Sequence, residues 1–266
     1  MRRLFFAGLV CVFCCVAKGQ QAYDSKMDYQ KTSVATASIE LAYSQDVIED
    51  AVKDYMEKRG YKYANTKGFT LYRGAKLDSS DVNSRDLYFK VEKKKKEKDI
   101  SVLSLFSTKP NMDIITRDST DSGQSDKAKS FLNNIVPYID AHNLEVQIAG
   151  QQEALKKAQK KQNSLLNEQA DLEKKLRKYQ DELNQNKIDQ AAQTQAMQNS
   201  VNQDADATKK ANKKMGKLLD DQSSLEKKQR NTQQDLDDNK KDQDVQQKEL
   251  QKQQQVLDAL LAKRKS

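Results

Sequence analysis

Cysteine is confined to a short stretch at the start of this chain. Its three copies are Cys11, Cys14 and Cys15, and none follows them. The rest of the chain has one histidine, His142, and no thiol or second imidazole with which it could bind a metal or form a catalytic pair. No glycine-rich phosphate loop is present in the sequence either. We accordingly expect no catalytic, metal or cofactor site, and a protein that is not an enzyme.

Proline and glycine are also scarce. The chain has only two prolines, Pro110 and Pro137, and the stretch Gln147 to Ser266 contains no proline and just two glycines, Gly150 and Gly216. Because these residues are the ones that interrupt helices, the stretch is predicted to be continuously helical. Tryptophan is absent and aromatic residues make up 6%, against 32% charged residues. This composition is too polar for 266 residues of packed core, so the core must lie in a minority of the chain.

The first nineteen residues have the three parts of a secretory signal peptide. Arg2-Arg3 precede an apolar run from Leu4 to Val16, and Ala17-Lys18-Gly19 offer a small-residue cleavage site. The alternative, a membrane anchor, is weaker because about 13 apolar residues fall short of the roughly 20 that span a bilayer. We expect residues 1–19 to be removed and the mature chain, without any transmembrane segment, to be secreted. A mature chain without disulfides suits the bacterial periplasm better than an animal extracellular fluid.

Residues 20–143 carry the apolar patterns of a small domain. A polar lead-in without periodicity, residues 20–32, is predicted to be disordered. The head proper, residues 33–143, has the element order β-α-β-β-β-β-α, with Ser44 predicted to cap the first helix and Gly60 to follow it. The last element favours a helix, although Leu144, Val146 and Ile148 also alternate as a strand would. This order predicts a two-layer α+β domain, an antiparallel sheet with both helices on one face.

Residues 144–266 form a long all-α, coiled-coil-like segment that nearly repeats itself. Shifting the segment by 53 positions aligns residues 148–200 with 201–253, and between Lys156 and Gln190 the two copies share 19 of 35 residues. Leucines match in register as well as the common lysines, which indicates an internal duplication.

A sparse line of leucines marks one side of this segment. These leucines follow the alternating spacing of three and four residues that a coiled-coil seam requires. The proposed seam consists of Leu155, Leu165, Leu172, Leu176, Leu183, Leu218, Leu225, Leu236, Leu250 and Leu257.

Amides occupy other positions of the same line. They are Gln162, Gln169, Asn186, Gln190, Gln222, Gln229, Asn239, Gln243 and Gln253. A buried amide costs about 1–3 kcal/mol unless it finds a partner. The rod is therefore predicted either to associate weakly and reversibly, or to be polar all round and held helical by charge pairs such as Glu173 with Arg177. Since 53 residues are seven heptads plus four, a continuous coiled coil would need one four-residue stutter near Asn186 to Met197.

The segment can be a straight rod or a folded one. A straight helix would extend for roughly 170 Å, whereas a reversal near Asn199 to Asp206 would pack the two copies on each other. In either form we expect self-association or binding of a partner helix through the rod, and no binding to nucleic acid. The leading functional hypothesis is an exported structural or interaction protein.

A second hypothesis assigns function to the head. Its sheet carries tyrosines and phenylalanines that could stack on a glycan or another small ligand. These residues are Tyr61, Tyr63, Tyr72, Tyr88, Phe69 and Phe89. Two further features have ordinary explanations. The run Lys93 to Lys96 is flanked by acids and indicates a solvated turn, and Asp118 and Asp121 have the wrong spacing for a calcium loop.

Overall fold

The computed structural model describes residues 21–79, 81–94, 97, 100–110, 122–199 and 205–265. Within them the chain divides into two compact units, residues 1–146 and 147–266, which we call the head and the hairpin. The head is an antiparallel sheet with helices and the hairpin is wholly helical, so the chain has the predicted α+β architecture followed by a long helical segment. The signal-peptide region and the loop with Asp118 and Asp121 lie outside the described residues.

Six strands of the described chain form one sheet. In chain order they are β1 Tyr23–Tyr29, β2 Thr32–Leu41, β3 Tyr63–Thr66, β4 Phe69–Ala75, β5 Arg85–Lys93 and β6 Ser101–Thr108. The strands lie in the order β1-β2-β6-β5-β4-β3, and every neighbouring pair is antiparallel. Helix α1 spans Gln45–Lys58, α2 spans Ser122–Asn199 and α3 spans Ala205–Lys265.

One face of the sheet is covered by α1 and by the start of α2. Alternate residues of the central strands, such as Ile39 and Leu103, are buried against Ile48 of α1 and Leu132 and Ile135 of α2. Helix α1 begins where the sequence predicts, because the Ser44 hydroxyl accepts a hydrogen bond from the Val47 amide at 3.5 Å. The predicted two-layer arrangement is therefore confirmed, and the segment around Leu144 to Ile148 is helical.

The opposite face of the sheet carries a second, smaller apolar cluster. It is made of Tyr29, Val34, Phe69, Leu71, Tyr88 and Phe106, all buried. Tyr29 lies at the end of edge strand β1, yet its ring is 5.2 Å from that of Phe69 in β4, so the β1–β2 hairpin curves over this face. Tyr88 and Phe106 stack with their ring centres 4.6 Å apart.

Small hydroxyl side chains lie beside this cluster. Ser25 is 2.6 Å from both Thr36 and Ser38, and Ser38 is 2.7 Å from Ser104, which joins β1, β2 and β6 in one row of hydroxyl contacts. Ser38 and Ser104 are buried, and each finds its partner within the row. Small residues at these positions allow the sheet to curve without leaving polar groups unpaired.

The range 20–32 was predicted from the sequence to be a disordered lead-in, but it contains strand β1. Its turn to β2 is formed by Gln30 and Lys31, whose φ angles are 51° and 68°. Two-residue hairpin turns of this kind are normally marked by Asn-Gly or Asp-Gly, and Gln-Lys gives no such signal. The other two-residue turn, Lys67-Gly68, contains the expected glycine and falls inside the predicted hairpin.

Among the described residues, no helix has a stretch both long and apolar enough to cross a bilayer.

Candidate functional site

Helix α3 runs antiparallel to the hairpin part of α2. Gln151 donates to the backbone carbonyl of Gln253 at 2.8 Å, whereas Gln193, 42 positions later, donates to that of Ala211 at 3.3 Å. Rising numbers on α2 thus face falling numbers on α3. Of the two forms that the sequence left open, the structure has the folded one, with helical residues ending at Asn199 and beginning again at Ala205.

A ladder of side-chain amides joins the two helices. Each amide nitrogen donates to a backbone carbonyl of the facing helix, at distances of 2.8 to 3.3 Å. We call the five donors the amide ladder: Gln151, Asn186 and Gln193 on α2, and Asn239 and Gln246 on α3. Asn186 and Asn239 are only 7% and 5% exposed. Two of the amides that the sequence placed on the seam at a cost, Asn186 and Asn239, are therefore provided with partners.

Four of the five ladder donors are related in pairs by the duplication, whereas the equivalent of the fifth, Gln151, is Asp204, which lies outside the described residues. Asn186 donates to the carbonyl of Leu218, and Asn239, 53 positions after Asn186, donates to that of Leu165, 53 positions before Leu218. Gln193 with Ala211 and Gln246 with Ala158 are related in the same way. The side-chain pair Gln190 with Gln222 likewise repeats as Gln243 with Gln169, at 2.8 and 2.7 Å. In each of these pairs of contacts, the residue through which the first copy donates to the second has its equivalent in the residue through which the second copy donates to the first.

The ten leucines proposed for the seam lie on this inner side. Leu172, Leu183, Leu236 and Leu257 are buried. The remaining six are half-buried: Leu155, Leu165, Leu176, Leu218, Leu225 and Leu250. Leu166 and Leu219, which directly follow two of them and are equivalent in the two copies, are about half exposed at 47% and 51%. The leucine line is thus covered within one chain.

The four-residue stutter expected near Asn186 to Met197 does not occur there. Asn186 and Gln193 keep the seven-residue spacing of the ladder up to the end of α2. From Gln193 to its counterpart Ala211 is 18 residues, and the chain reverses within that interval. The change of phase therefore falls at the reversal and leaves both helices in regular heptads.

Several buried residues on the inner side of the hairpin were not predicted from the sequence to lie on the seam. Gln193, Gln246 and Thr232 are buried on the same side of the hairpin. Gln193 and Gln246 lie seven residues after Asn186 and Asn239, so extending the heptad by one step would have found both. Gln162, in contrast, was placed on the seam correctly but has a buried side-chain oxygen without a hydrogen-bond partner.

Charged side chains of the hairpin point outward. The described ion pairs lie within single helices: Lys157 with Glu153, Lys178 with Glu182, Lys210 with Asp206 and Lys241 with Asp238. The hydrogen bond from Lys157 holds the pKa of Glu153 below its ordinary value. The pairs of Lys157 and Lys210 are again equivalent in the two copies. Exposed pairs of this kind contribute little to stability, so the amides and leucines hold the two helices together.

The head has polar contacts of a different kind, between its elements. The Tyr138 hydroxyl of α2 donates to the Asp54 carboxylate of α1, and Lys58 contacts both, at 2.8 Å from Tyr138 and 2.9 Å from Asp54. These hydrogen bonds, that of Tyr138 first, lower the pKa of Asp54. Ser125 and Lys129 likewise bind Asp24 of β1 and lower its pKa.

The aromatic residues of the head sheet are largely inaccessible. Tyr72, Tyr88, Phe69 and Phe89 are buried, Tyr61 is half-buried, and Tyr63 is 44% exposed. Of these six residues only Tyr63 is exposed, and Tyr23 of β1, at 42%, is the other exposed tyrosine of the described sheet. The described contacts of the other rings are with neighbouring rings and core residues, so they give the glycan hypothesis no support.

The remaining candidate residues stay isolated. His142 is half-buried on α2, and the part of the chain that is described contains no cluster of histidine, cysteine and acidic residues that could hold a metal ion. Lys93 ends β5 and Lys94 pairs with Glu40 and Glu97, as expected for a solvated turn, while Lys95 and Lys96 fall outside the described residues. Comparison with family models, curated proteins and solved structures finds no match to this chain.

Proposed function

We propose that this chain is an exported, non-enzymatic interaction protein, which binds other protein chains through the outer faces of its helical hairpin. Export is supported by the signal-peptide pattern of residues 1–19, and the bacterial periplasm by the absence of cysteine after Cys15. A non-enzymatic role is supported by the single histidine and the absence of cysteine after Cys15, which leave no Cys–His or His–His pair for nucleophilic or metal chemistry.

One observation carries this proposal: the inner and outer faces of the hairpin are used differently. The inner amides are satisfied by carbonyls of the facing helix, and the seam leucines are covered. The outer faces carry nearly all the charges of the unit, on two helices of 53 and 61 described residues. A long surface of exposed charges favours specific and reversible association over permanent burial.

The proposed binding surface therefore does not include the leucine line of the seam. The sequence alone suggested that the leucine line binds a second chain, but that line is occupied by the other copy of the repeat. Self-association and binding of a partner helix both remain part of the proposal, through outer residues such as Leu166 and Leu219. Nucleic acid is not the proposed partner, because the chain after Gly19 holds 44 basic and 39 acidic residues and has little excess charge.

Site-specific photo-cross-linking in cells tests the proposal. A photoreactive amino acid replaces Leu166 or Leu219 on the outer face, Leu172 on the seam, or Val82 in the head, which is 91% exposed. We expect protein adducts from Leu166 and Leu219 and none from Leu172 or Val82. Exported protein that gives no adduct at either outer position would contradict the proposal. N-terminal sequencing of the same material should begin at Gln20, and a retained Met1 would refute export.

A further inference from the structure

The hairpin is divided along its length into blocks of opposite charge. Its open end, residues 147–162 and 246–266, has nine basic and three acidic residues. The middle, 163–190 and 218–245, has ten basic and fourteen acidic residues. The turn end, 191–217, has five basic and two acidic residues. The order is therefore positive, negative, positive.

This order follows from the duplication and the chain reversal together. Each copy begins with the same basic motif, Lys156-Lys157-Ala158-Gln159-Lys160-Lys161 in the first and Lys209-Lys210-Ala211-Asn212-Lys213-Lys214 in the second. Because the copies are antiparallel, the two motifs lie at opposite ends of the hairpin. All eight lysines are exposed.

The blocks are long enough to act separately. The middle extends over 28 residues of each helix, which is about 42 Å at 1.5 Å per residue. The Debye length is about 8 Å at physiological ionic strength, so each block is screened from the next and presents its own sign to a partner.

The most acidic part of the middle lies on α3. Five aspartates, Asp235, Asp237, Asp238, Asp242 and Asp244, occur within ten residues, and all are exposed. Two lysines interrupt them, of which Lys241 pairs with Asp238 at 2.8 Å. That pair and the Lys210–Asp206 pair at 3.4 Å are exposed, and such pairs are weak enough to exchange partners.

We infer that the lysines of the turn end, Lys209, Lys210, Lys213 and Lys214, dock on the Asp235–Asp244 run of a second copy of this chain. The inference rests on the proposed function and names its partner. Two hairpins that lie antiparallel about an axis midway between residues 209–214 and 235–244 of α3, near residue 225, place each lysine motif over the other's aspartates, and they then overlap from the turn to about residue 250. The contact is then made twice about a two-fold axis and closes as a dimer. An extended polyanion fits less well, because the acidic middle would repel it.

The test is sedimentation equilibrium of the purified mature chain, residues 20–266, at low and high salt. We expect a monomer–dimer equilibrium whose Kd rises at least about tenfold between 50 and 500 mM salt, as screened charge pairs require. The variant K209E/K210E/K213E/K214E should be monomeric throughout. Adding D237K/D238K/D242K/D244K to it should restore the dimer, since the two charge signs are then exchanged.

A second variant controls for the number of charges. K174E/K175E/K227E/K228E changes four exposed lysines of the same helices, but in the acidic middle. It leaves the lysine motif and the Asp235–Asp244 run unchanged, so the Kd should rise less than it does in the turn-end variant. Circular dichroism of every variant checks that the helices remain folded.

Three outcomes would overturn the inference: a monomer at all concentrations, a dimer insensitive to salt, or equal effects of the two lysine variants. A monomer that associates only when inorganic polyphosphate is added would identify a polyanion as the partner instead. In each of these cases, cross-linked adducts with other proteins at Leu166 or Leu219 would leave the proposed function standing, so the two failures are distinguishable.

Discussion

The head and the hairpin solve the same problem, the burial of apolar surface, with different materials. The head buries Leu, Ile, Val and Phe on one face of its sheet and an aromatic cluster on the other, with hydroxyls only where the sheet curves. The hairpin has a thin line of leucines and fills the gaps with amides bound to facing carbonyls. A polar seam is thus compatible with a paired structure when its register lets most of the buried amides reach partners on the facing helix, as Asn186 and Asn239 do.

The largest effect should come from opening a cavity in the head. Leu132→Ala removes a completely buried side chain between α2 and the sheet, so we expect a loss of about 2–5 kcal/mol in the free energy of unfolding. Urea unfolding followed by near-ultraviolet circular dichroism reports on the head, because nine of the ten tyrosines precede Gln147. Leu166→Ala, at a half-exposed position of the hairpin, should stay within about 0.5 kcal/mol of the wild type.

Substitutions in the amide ladder should lower the free energy of unfolding by less than the cavity in the head does. A seam made only of apolar residues would not show the same pattern of effects. Asn186→Ala removes the donor to the Leu218 carbonyl and should cost the hairpin about 1–3 kcal/mol. Asn239→Ala should cost at least as much, because Asn239 also donates to Glu168 at 3.1 Å, and the double variant should cost the sum, because the two sites are far apart. Asn167→Ala, on the exposed side of α2, is the matched control. Far-ultraviolet circular dichroism during urea unfolding measures all four, and an unchanged Asn186→Ala would remove the ladder's assigned role.

The turn between β1 and β2 offers a gain in stability. Gln30 and Lys31 both have positive φ, a conformation that costs an ordinary residue about 1–2 kcal/mol. Replacing them with Asn-Gly should therefore stabilise the head by roughly 1 kcal/mol or more and leave the hairpin unchanged. Lys67→Asn in the Lys67-Gly68 turn, which already has its glycine, is the matched comparison and should give a smaller gain. A head destabilised by Asn-Gly at 30–31 would contradict the turn geometry.

The head should lose more stability than the hairpin at low pH, and this difference should be smaller than the effects described above. The pKa values of Asp24, Asp54 and Asp81 are lowered by hydrogen bonds from Ser125, Tyr138 and Lys127 respectively, all on α2. A lowered carboxyl pKa contributes stability above the unfolded value, near 3.8, that is lost as the pH falls through the folded value. The ladder amides do not titrate over this range. Thermal melts at pH 6 and pH 3 should show the tyrosine transition falling further than the helical one.

Asp54→Asn and Asp24→Asn test the cause of that acid response. Each removes one titrating group, so the tyrosine transition of the double variant should depend less on pH below 4 than that of the wild type. An equally steep pH dependence in the double variant would assign the acid response to other carboxylates.

Local patterns of sequence predicted most of the fold and the line of leucines. Ser44 and Gly60 marked the ends of α1, and Leu87, Phe89 and Val91 of β5, which alternate in the sequence, are buried in the main core. Strand β1 was missed although Tyr23, Met27 and Tyr29 alternate with Asp24, Lys26 and Asp28, because Gln30-Lys31 does not resemble a tight turn. The partners of Asn186 and Asn239 could not be predicted, since a periodic sequence shows which side of a helix is buried but not what faces it. The reversal near residue 200 decides that, and it has no proline or glycine to mark it.

The reciprocal arrangement of the duplicated halves also bears on how this tail could have arisen. A polypeptide with one half alone carries both the donors, at Asn186 and Gln193, and the acceptors, at Leu165 and Ala158, so two such molecules would satisfy one another. When the two halves are joined in a single gene, their pairing becomes intramolecular and no longer depends on the concentration of the protein. The outer surface is thereby released from the task of holding the helices together and is left free to diverge.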